Sequence, residues 1–346
     1  PHLAQIEESE TGGSKGFEKI ASFKGGEIEG LKARHAWIDR DSLIVTADYV
    51  TLEQGTGVVH TAPGHGRDDY ETGLQHGLEV YSPVDDDGKF TEEIEHFAGQ
   101  FVFDADPHII EFLRGSGGLF GVEDYEHPYP HDWRSHRPTI FRATPQWFIS
   151  MDEGGLRQKS LDEIRKVRWI PPWGEERIYG MIENRPDWCI SRQRSWGVPI
   201  VVFHCTACKH AVVDSKVVDH VADQMEERGA DIWFEKEAAE LLPPGFECPS
   251  CGENSFEKEM DILDVWFDSG VSQAAVIEKR SDLTWPADMY LEGSDQHRGW
   301  FHSSLLAAVG VRGAAPYREV LTHGYVVDGR GKKMSKSLGN AMSPDD

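Results

Sequence analysis

The chain has 346 residues, 39% apolar and 27% charged, a balance that fits a soluble globular protein of two or three domains, each large enough for its own core. Its 35 basic and 60 acidic side chains leave a net charge of −25, which excludes uniform coating of nucleic acid and leaves only local basic patches on an acidic body. No apolar run approaches the roughly 18 residues that a transmembrane span needs. The N-terminal PHLAQIEESETGG has no basic segment followed by an apolar one, so it does not read as a signal peptide. There is no initiator Met, and a strongly patterned motif lies close to the last residue, so the chain reads as cut at both ends.

Residues 1 to about 142 are rich in Gly, His and Asp and read as a mixed α/β or β-rich domain. LIVTADYV (43–50) and GVVHT (57–61) are β-like runs, the second followed by the turn APGHG (62–66). RDDYETGLQHG (67–77) reads as a helix ended by Gly77. DADPHIIEFLRGSGG (104–118) reads as another, capped by Asp104 or Asp106, with Pro107 in its first turn and Gly115 as its stop.

Composition shifts near FRATPQWFISMD (141–152). Helical patterns follow at 156–169 and 173–184, separated by Pro171 and Pro172. DWCISRQRSWGVPIVVFHC (187–205) runs into a strand that ends at a cysteine pair, and DSKVVDHVADQMEERG (214–229) is an amphipathic helix with Asp214 as its cap. The last stretch is a strand–helix–strand unit: ADMYLEG (287–293), HRGWFHSSLLAAVG (297–310) and REVLTHGYVV (318–327). Such units build parallel sheets with ligands at the carboxyl ends of the strands, which makes Glu292, Gly293, Ser294, Asp295 and Gln296 site candidates on geometry alone.

Four of the five cysteines form two C-x-x-C pairs, Cys205/Cys208 and Cys248/Cys251, a spacing that favours a metal in a reducing compartment over disulfides. Two such knuckles can offer four thiolates tetrahedrally to Zn²⁺, with no open position, so the site reads as structural; the alternative is four unrelated buried thiols. His204 and His210 flank the first pair and read as surface residues rather than ligands.

His60 and Asp69 lie on a Gly-His-Asp turn where a carboxylate could bind an amino group and a histidine could position a water. The alternative is a structural turn with Asp68 capping the helix. HPYPHDWRSH (127–136) holds His127, His131 and His136, but neither cysteine nor helical spacing supports a metal there. Trp266 and Trp300 follow candidate strand ends, and read either as core aromatics or as walls of an apolar pocket. GRGKKMSKSLGN (329–340) sets Arg330, Lys332, Lys333 and Lys336 among glycines and serines. Its composition fits a solvated tail and a mobile phosphate-gripping loop alike.

KMSKS (333–337) resembles the signature loop of the class I aminoacyl-tRNA synthetases. Together with DWCISRQRSWGVPI (187–200), DVWFDSG (264–270), EGSDQHRGWF (292–301), LTHGYVVDG (321–329) and GTGVVHTAPGHGRDDY (55–70), it makes the chain similar to the isoleucyl-tRNA synthetases over almost its whole length. The resemblance implies an α/β fold: the second half of a Rossmann-type class I catalytic core, with an inserted β-rich editing domain and a zinc-ribbon-like insertion. Residues 1–142 would be the C-terminal part of the editing domain, 143–203 the return into the catalytic domain, 204–260 the zinc-binding insertion, and 261–346 the second catalytic half with the KMSKS loop.

The same resemblance implies site roles. Lys333 and Lys336, with Ser337 beside them, would hold ATP phosphates. Glu292 would contact the adenylate, Gly293, Asp295 and Gln296 would form the nucleotide side, and Trp266 and Trp300 would wall the isoleucine pocket. His60 and Asp69 would edit mischarged valyl-tRNA, and Cys205, Cys208, Cys248 and Cys251 would bind Zn²⁺. ATP with Mg²⁺, isoleucine and tRNA(Ile) are the implied partners of a cytoplasmic monomer. A valyl or leucyl enzyme, or a catalytically dead zinc-ribbon or tRNA-binding fragment, are the alternatives. The chain departs from the pattern in having no His-x-Gly-His, no threonine-rich editing strand and no anticodon-binding domain. Asp132 and Ser135 stand where some relatives carry further metal-binding cysteines, so no second zinc is expected there.

Overall fold

The computed structural model describes residues 21–51, 57–124, 126–132, 135–335 and 339–342. The chain divides between Pro145 and Gln146 into two compact units. Among the described residues no helix is long and apolar enough to cross a membrane.

In the first unit, β1 (Lys32–Arg34) pairs antiparallel with β2 (Asp41–Leu43). The β-like run 43–50 therefore contributes only its first residue to a regular strand. Ile44 still exchanges backbone hydrogen bonds with Gly30 and Leu31, but the partner strand begins at Lys32 and the pairing stops there. Residues 57–61 form no regular strand either, and Val58 and Val59 are exposed. The described part of this unit is mixed rather than β-rich.

Helix α1 (Arg67–His76) ends as expected at Gly77, whose φ of 64° is the left-handed region glycine enters without a Cβ penalty. Helix α2 (Asp106–Ser116) has Pro107 in its first turn, but Ala105 precedes it and neither Asp104 nor Asp106 caps it. It runs through Gly115 and stops at Gly117, whose N–H returns to the Leu113 and Arg114 carbonyls.

The second unit opens with β3 (Phe148–Ile149), α3 (Leu156–Ile164), β4 (Arg168–Ile170), α4 (Trp173–Glu183), β5 (Trp188–Cys189) and β6 (Ser191–Arg192). A small module follows: β7 (Phe203–Cys205), β8 (Ala211–Val212), α5 (Ser215–Arg228), α6 (Ile232–Glu235), α7 (Ala238–Leu241) and β9 (Phe256–Lys258). Strand β7 is central, pairing antiparallel with β8 and β9. Asp214 caps α5 as its sequence predicts, accepting from the backbone N–H groups of Lys216 and Val217. The helices cover one side of this sheet through Phe203, Val217, Val221, Trp233 and Leu241.

The chain returns through β10 (Ile262–Leu263), antiparallel to β6, and α8 (Val265–Gly270), capped by Asp264. Then come β11 (Ala287–Gly293), a 3₁₀ turn (Ser294–Arg298), α9 (Trp300–Arg312) and β12 (Tyr317–His323). The helix starts three residues later than the sequence pattern suggests, because Ser294–Arg298 winds more tightly first. Strand β12 ends at His323 rather than 327, since the residues beyond it turn back on themselves, with Val327 bridging to Lys333.

Strands β11, β12 and β4 form a parallel sheet with β12 in the middle. The helices α3, α4 and α9 pack on it around Ile164, Ile178, Ile182, Phe301, Leu305 and Val320. Helix α9 is apolar almost all round, as a helix between a sheet and further helices must be. It meets α8 closely: a Cβ on Gly270 would lie 2.9 Å from the Ser303 carbonyl carbon and oxygen. Backbone cannot swing aside as a side chain can, so Gly270→Ala is expected to cost about 1–3 kcal/mol. A lower urea midpoint at unchanged m-value would show it.

Candidate functional site

The parallel strands bring the candidate residues to one edge. Glu292 pairs with Thr322 and Gly293 with His323, so the carboxyl ends of β11 and β12 lie side by side. Glu292 is exposed there and Gly293 is buried. Asp295 accepts hydrogen bonds from the Tyr325 hydroxyl at 2.9 Å and the Gln296 amide at 3.1 Å. Burial opposes its ionisation, but the hydrogen bonds from Tyr325, its own backbone and Gln296, together with the Lys333 charge, outweigh it and hold the carboxyl below its ordinary range. Gln296 also shapes the turn itself, because its side-chain oxygen accepts from the Trp300 N–H at 3.0 Å and so caps the start of α9.

The two tryptophans flank Gly299, where a Cβ would lie 2.8 Å from the Trp266 ring. Trp266 is 43% exposed and lines a cleft with Arg185, Trp188, Asp264, Arg298 and His302. Trp300 is set back from it. Its ring stacks on Tyr290 at 4.0 Å between centroids, and its indole N–H donates to the Ser269 carbonyl and the Ser272 hydroxyl. So Trp266 faces the cleft and Trp300 braces the layer behind.

Of the cleft's polar residues, Asp264 and Arg298 lie in the motifs DVWFDSG and EGSDQHRGWF, whereas Arg185 and His302 carried no sequence signal of a site. Asp264 is buried, ion-paired with Arg192 at 2.9 Å. His302 Nε2 and Arg185 Nε are buried without a hydrogen-bond partner. Burial, with the nearby Arg185 and Arg298 charges, pushes His302 down to about 3, so it is neutral at physiological pH.

Beyond β12 two side chains that the sequence pattern did not single out bond to the described part of the lysine loop. Asp328 accepts from the backbone N–H groups of Arg330 and Lys332. Asn340 donates to Asp328 and to the Lys333 carbonyl, and accepts from the Ser335 N–H at 2.9 Å. Lys333 lies with its ammonium 3.7 Å from the centre of the Tyr325 ring. Lys336 and Ser337 lie outside the described residues.

The four cysteines of the small module converge, with all their sulfur atoms within 4.8 Å of one another. Cys205 and Cys251 are 3.6 Å apart, Cys208 and Cys248 3.7 Å, and none is in a disulfide. A tetrahedral ion with bonds of about 2.3 Å to sulfur needs sulfur pairs near ~3.8 Å, so the donor set fits Zn²⁺. The Cys208 backbone N–H helps draw Cys205 down to about 7. The Glu253 N–H acts the same way on Cys251, but the neighbouring thiols and burial prevail and push it up to about 12. Crowded thiols resist losing all four protons unless a cation takes their place. His204 bonds to Glu259 and His210 is exposed; neither joins the sulfur cluster.

In the first unit, Asp69 sits in the first turn of α1 and folds back, accepting from the Ala62 N–H at 3.0 Å and the Tyr49 hydroxyl at 3.3 Å. Gly66 precedes the helix with no side-chain cap, so Asp68 does not cap it. His60 is exposed, its ring 6.2 Å from that of His35.

A family model described as tRNA synthetases class I (I, L, M and V) matches residues 5–346. The isoleucine–tRNA ligase of Geobacter sulfurreducens is 62% identical over 327 residues, covering 94% of this chain and 35% of that protein. Those of Syntrophotalea carbinolica and Kosmotoga olearia are 57% and 56% identical over 334 residues, each covering 96% of this chain and 36% of the relative. The chain thus spans about a third of the length of the curated relatives it matches. Glu292–Gln296 close the first strand of the strand–helix–strand unit and the lysine loop follows its second, and with the family match over residues 5–346 the chain belongs to the class I tRNA synthetases.

Proposed function

We propose that the full-length protein is an isoleucine–tRNA ligase. The observation that carries this reading is the 62% identity to a relative of that name across 94% of the chain. In the reaction the isoleucine carboxylate attacks the α-phosphate of ATP in line, and pyrophosphate leaves. The isoleucyl group then passes from the adenylate to the terminal ribose of tRNA(Ile). Little covalent help is needed from the protein, so positioning and charge stabilisation dominate. Residues 143–203 and 261–346 serve this step, with Glu292, Gly293, Asp295 and Gln296 at the nucleotide side and Trp266, backed by Trp300, at the amino-acid side. Lys333 and Lys336 neutralise the phosphate chain as charge develops on the leaving group, with Ser337 beside them. ATP brings Mg²⁺, which supplies further neutralisation of the phosphates.

Residues 204–260 form a structural Zn²⁺ module held by Cys205, Cys208, Cys248 and Cys251. Residues 1–142 belong to an editing domain. An apolar pocket discriminates poorly against one missing methylene, isoleucine against valine being the familiar instance of that limit, and a second, hydrolytic site answers it. There Asp69 holds the aminoacyl ammonium and His60 positions water. The Tyr49 and Ala62 hydrogen bonds support this role by fixing the Asp69 carboxylate as an acceptor.

Amino-acid-dependent ATP–pyrophosphate exchange by the full-length protein tests the assignment. Isoleucine is expected to drive it best; exchange driven best by valine or leucine overturns the specificity.

A further inference from the structure

The geometry points to Tyr325 as a positioning residue that seats Lys333 at the carboxyl end of β11. This rests on the functional reading above and adds to it a side chain that reading does not use. Two contacts from one tyrosine carry it. Its hydroxyl donates to Asp295 Oδ1 at 2.9 Å, and the Lys333 ammonium lies over its ring, 3.7 Å from the centroid. Asp295 belongs to the turn that leaves β11, and Lys333 to the loop that leaves β12. The tyrosine therefore joins the two chain segments that must meet around a phosphate chain.

The local backbone explains why these groups face each other. Val327 bridges antiparallel to Lys333, and the Met334 N–H bonds to the Val326 carbonyl. In an antiparallel pair, Tyr325, two residues before Val327, is the diagonal neighbour of Lys333 on the same face, within reach of a long cation. The Asp328 and Asn340 hydrogen bonds hold this hairpin in register. At the other end, Gly293 leaves the space. A Cβ there would lie 2.8 Å from Asp295 Oδ1 and 3.7 Å from the Tyr325 ring, so a larger residue would push carboxylate and phenol apart.

An ammonium on an exposed aromatic face is held loosely, and a phosphate competes for it readily. The seat keeps the lysine beside the nucleotide-binding edge, and the lysine moves to the phosphates when ATP arrives. Less freedom is then lost on binding, so the seat acts on ground-state affinity for ATP rather than on the chemical step.

The test uses Tyr325→Leu and Tyr325→Phe in the full-length protein. Tyr325→Leu removes ring and hydroxyl, and is expected to raise the ATP KM in isoleucine-dependent exchange about two- to five-fold at nearly unchanged kcat. Tyr325→Phe keeps the face but loses the tether to Asp295 and should fall between. A tyrosine that merely stabilised the fold would lower kcat through the folded fraction and leave KM alone. A second readout does not need activity: trypsin should cut after Lys333 a few-fold faster in Tyr325→Leu than in wild type. Wild-type KM together with wild-type cleavage in Tyr325→Leu overturns the seat. If the wild-type protein shows no isoleucine-dependent exchange, the functional reading fails and the cleavage rates alone decide the seat.

Discussion

Cys248→Ser is expected to lower bound zinc from about one ion per chain to near zero and to loosen the knuckles that the four thiolates hold together. Cys248 is buried and 3.7 Å from Cys208, so a hydroxyl in its place removes an inner ligand rather than a peripheral one. Structural zinc contributes about 10–16 kcal/mol of apparent binding free energy in small metal-folded peptides, more than the knuckle backbone can replace. Their own hydrogen bonds are few: Cys205 N–H to His210, Thr206 N–H and hydroxyl to the Ser255 carbonyl, Lys209 N–H to Cys205, Cys248 N–H to Glu253 and Gly252 N–H to Cys248. The rest of the module has an independent anchor, nine buried apolar residues from Phe203 to Leu242. Unfolding should therefore be local. Hydrogen exchange should accelerate at 204–212 and 247–256, change less in α5, and stay unchanged in β11, α9 and β12. Cys189→Ser is the control: that thiol lies 3.7 Å from the Gln146 side-chain oxygen and is no member of the sulfur cluster. Full metal content in Cys248→Ser, or a folded wild type without metal, would count against the site. Because the ligands bind as thiolates, metal should also be lost progressively on acidification.

The parts of this structure that could be read from sequence are those whose causes are local. Helix α5 announces itself by an apolar stripe behind Asp214, and α1 by the glycine that ends it. The β11–α9–β12 unit is legible because strand, helix and strand each fill their usual length, and topology then puts Glu292 to Gln296 at a ligand-binding edge. What misled depends on distant partners. Residues 43–50 look like a strand, but a strand needs an edge to pair with, and β1 offers only three residues. Gly115 looks like a helix stop, yet nothing obliges a chain to leave the helix at the first glycine, and the left-handed turn falls at Gly117.

In the site the same distinction holds. Four cysteines at knuckle spacing advertise their chemistry. By contrast, the Gln296 cap on α9, the Tyr325 bond to Asp295 and the Asn340 brace across the lysine loop join residues by side-chain geometry that no periodicity encodes. The tryptophans show the limit most plainly. Both sit in motifs that suggest a pocket, and only the three-dimensional layering separates Trp266 at the cleft from Trp300 stacked on Tyr290.

Lys336→Ala in the full-length protein is expected to slow isoleucine-dependent pyrophosphate exchange by about 100-fold or more, chiefly in kcat, the usual loss when one preorganised donor to a developing negative charge is removed. Lys336 lies outside the described residues, but its flanks are joined on both sides. Ser335 donates its N–H to the Asn340 side chain, and Asn340 in turn reaches Asp328 and the Lys333 carbonyl. Ser335 and Asn340, which lie on either side of Lys336 in the sequence, thus share one hydrogen-bonded brace. Asn340→Ala separates charge from placement: it leaves Lys336 in the chain and frees the base of the loop. If the brace positions the lysine, this variant should lose a smaller part of the rate, and the loss should shrink as ATP approaches saturation, whereas the loss in Lys336→Ala should persist. Exchange at the wild-type rate in Lys336→Ala would remove the lysine from the reaction. A loss in Asn340→Ala equal to that in Lys336→Ala at saturating ATP would show that the brace does more than place the charge. The two variants together therefore divide the loop into a charge that acts on the leaving pyrophosphate and a hydrogen-bonded base that determines how often the charge is in position.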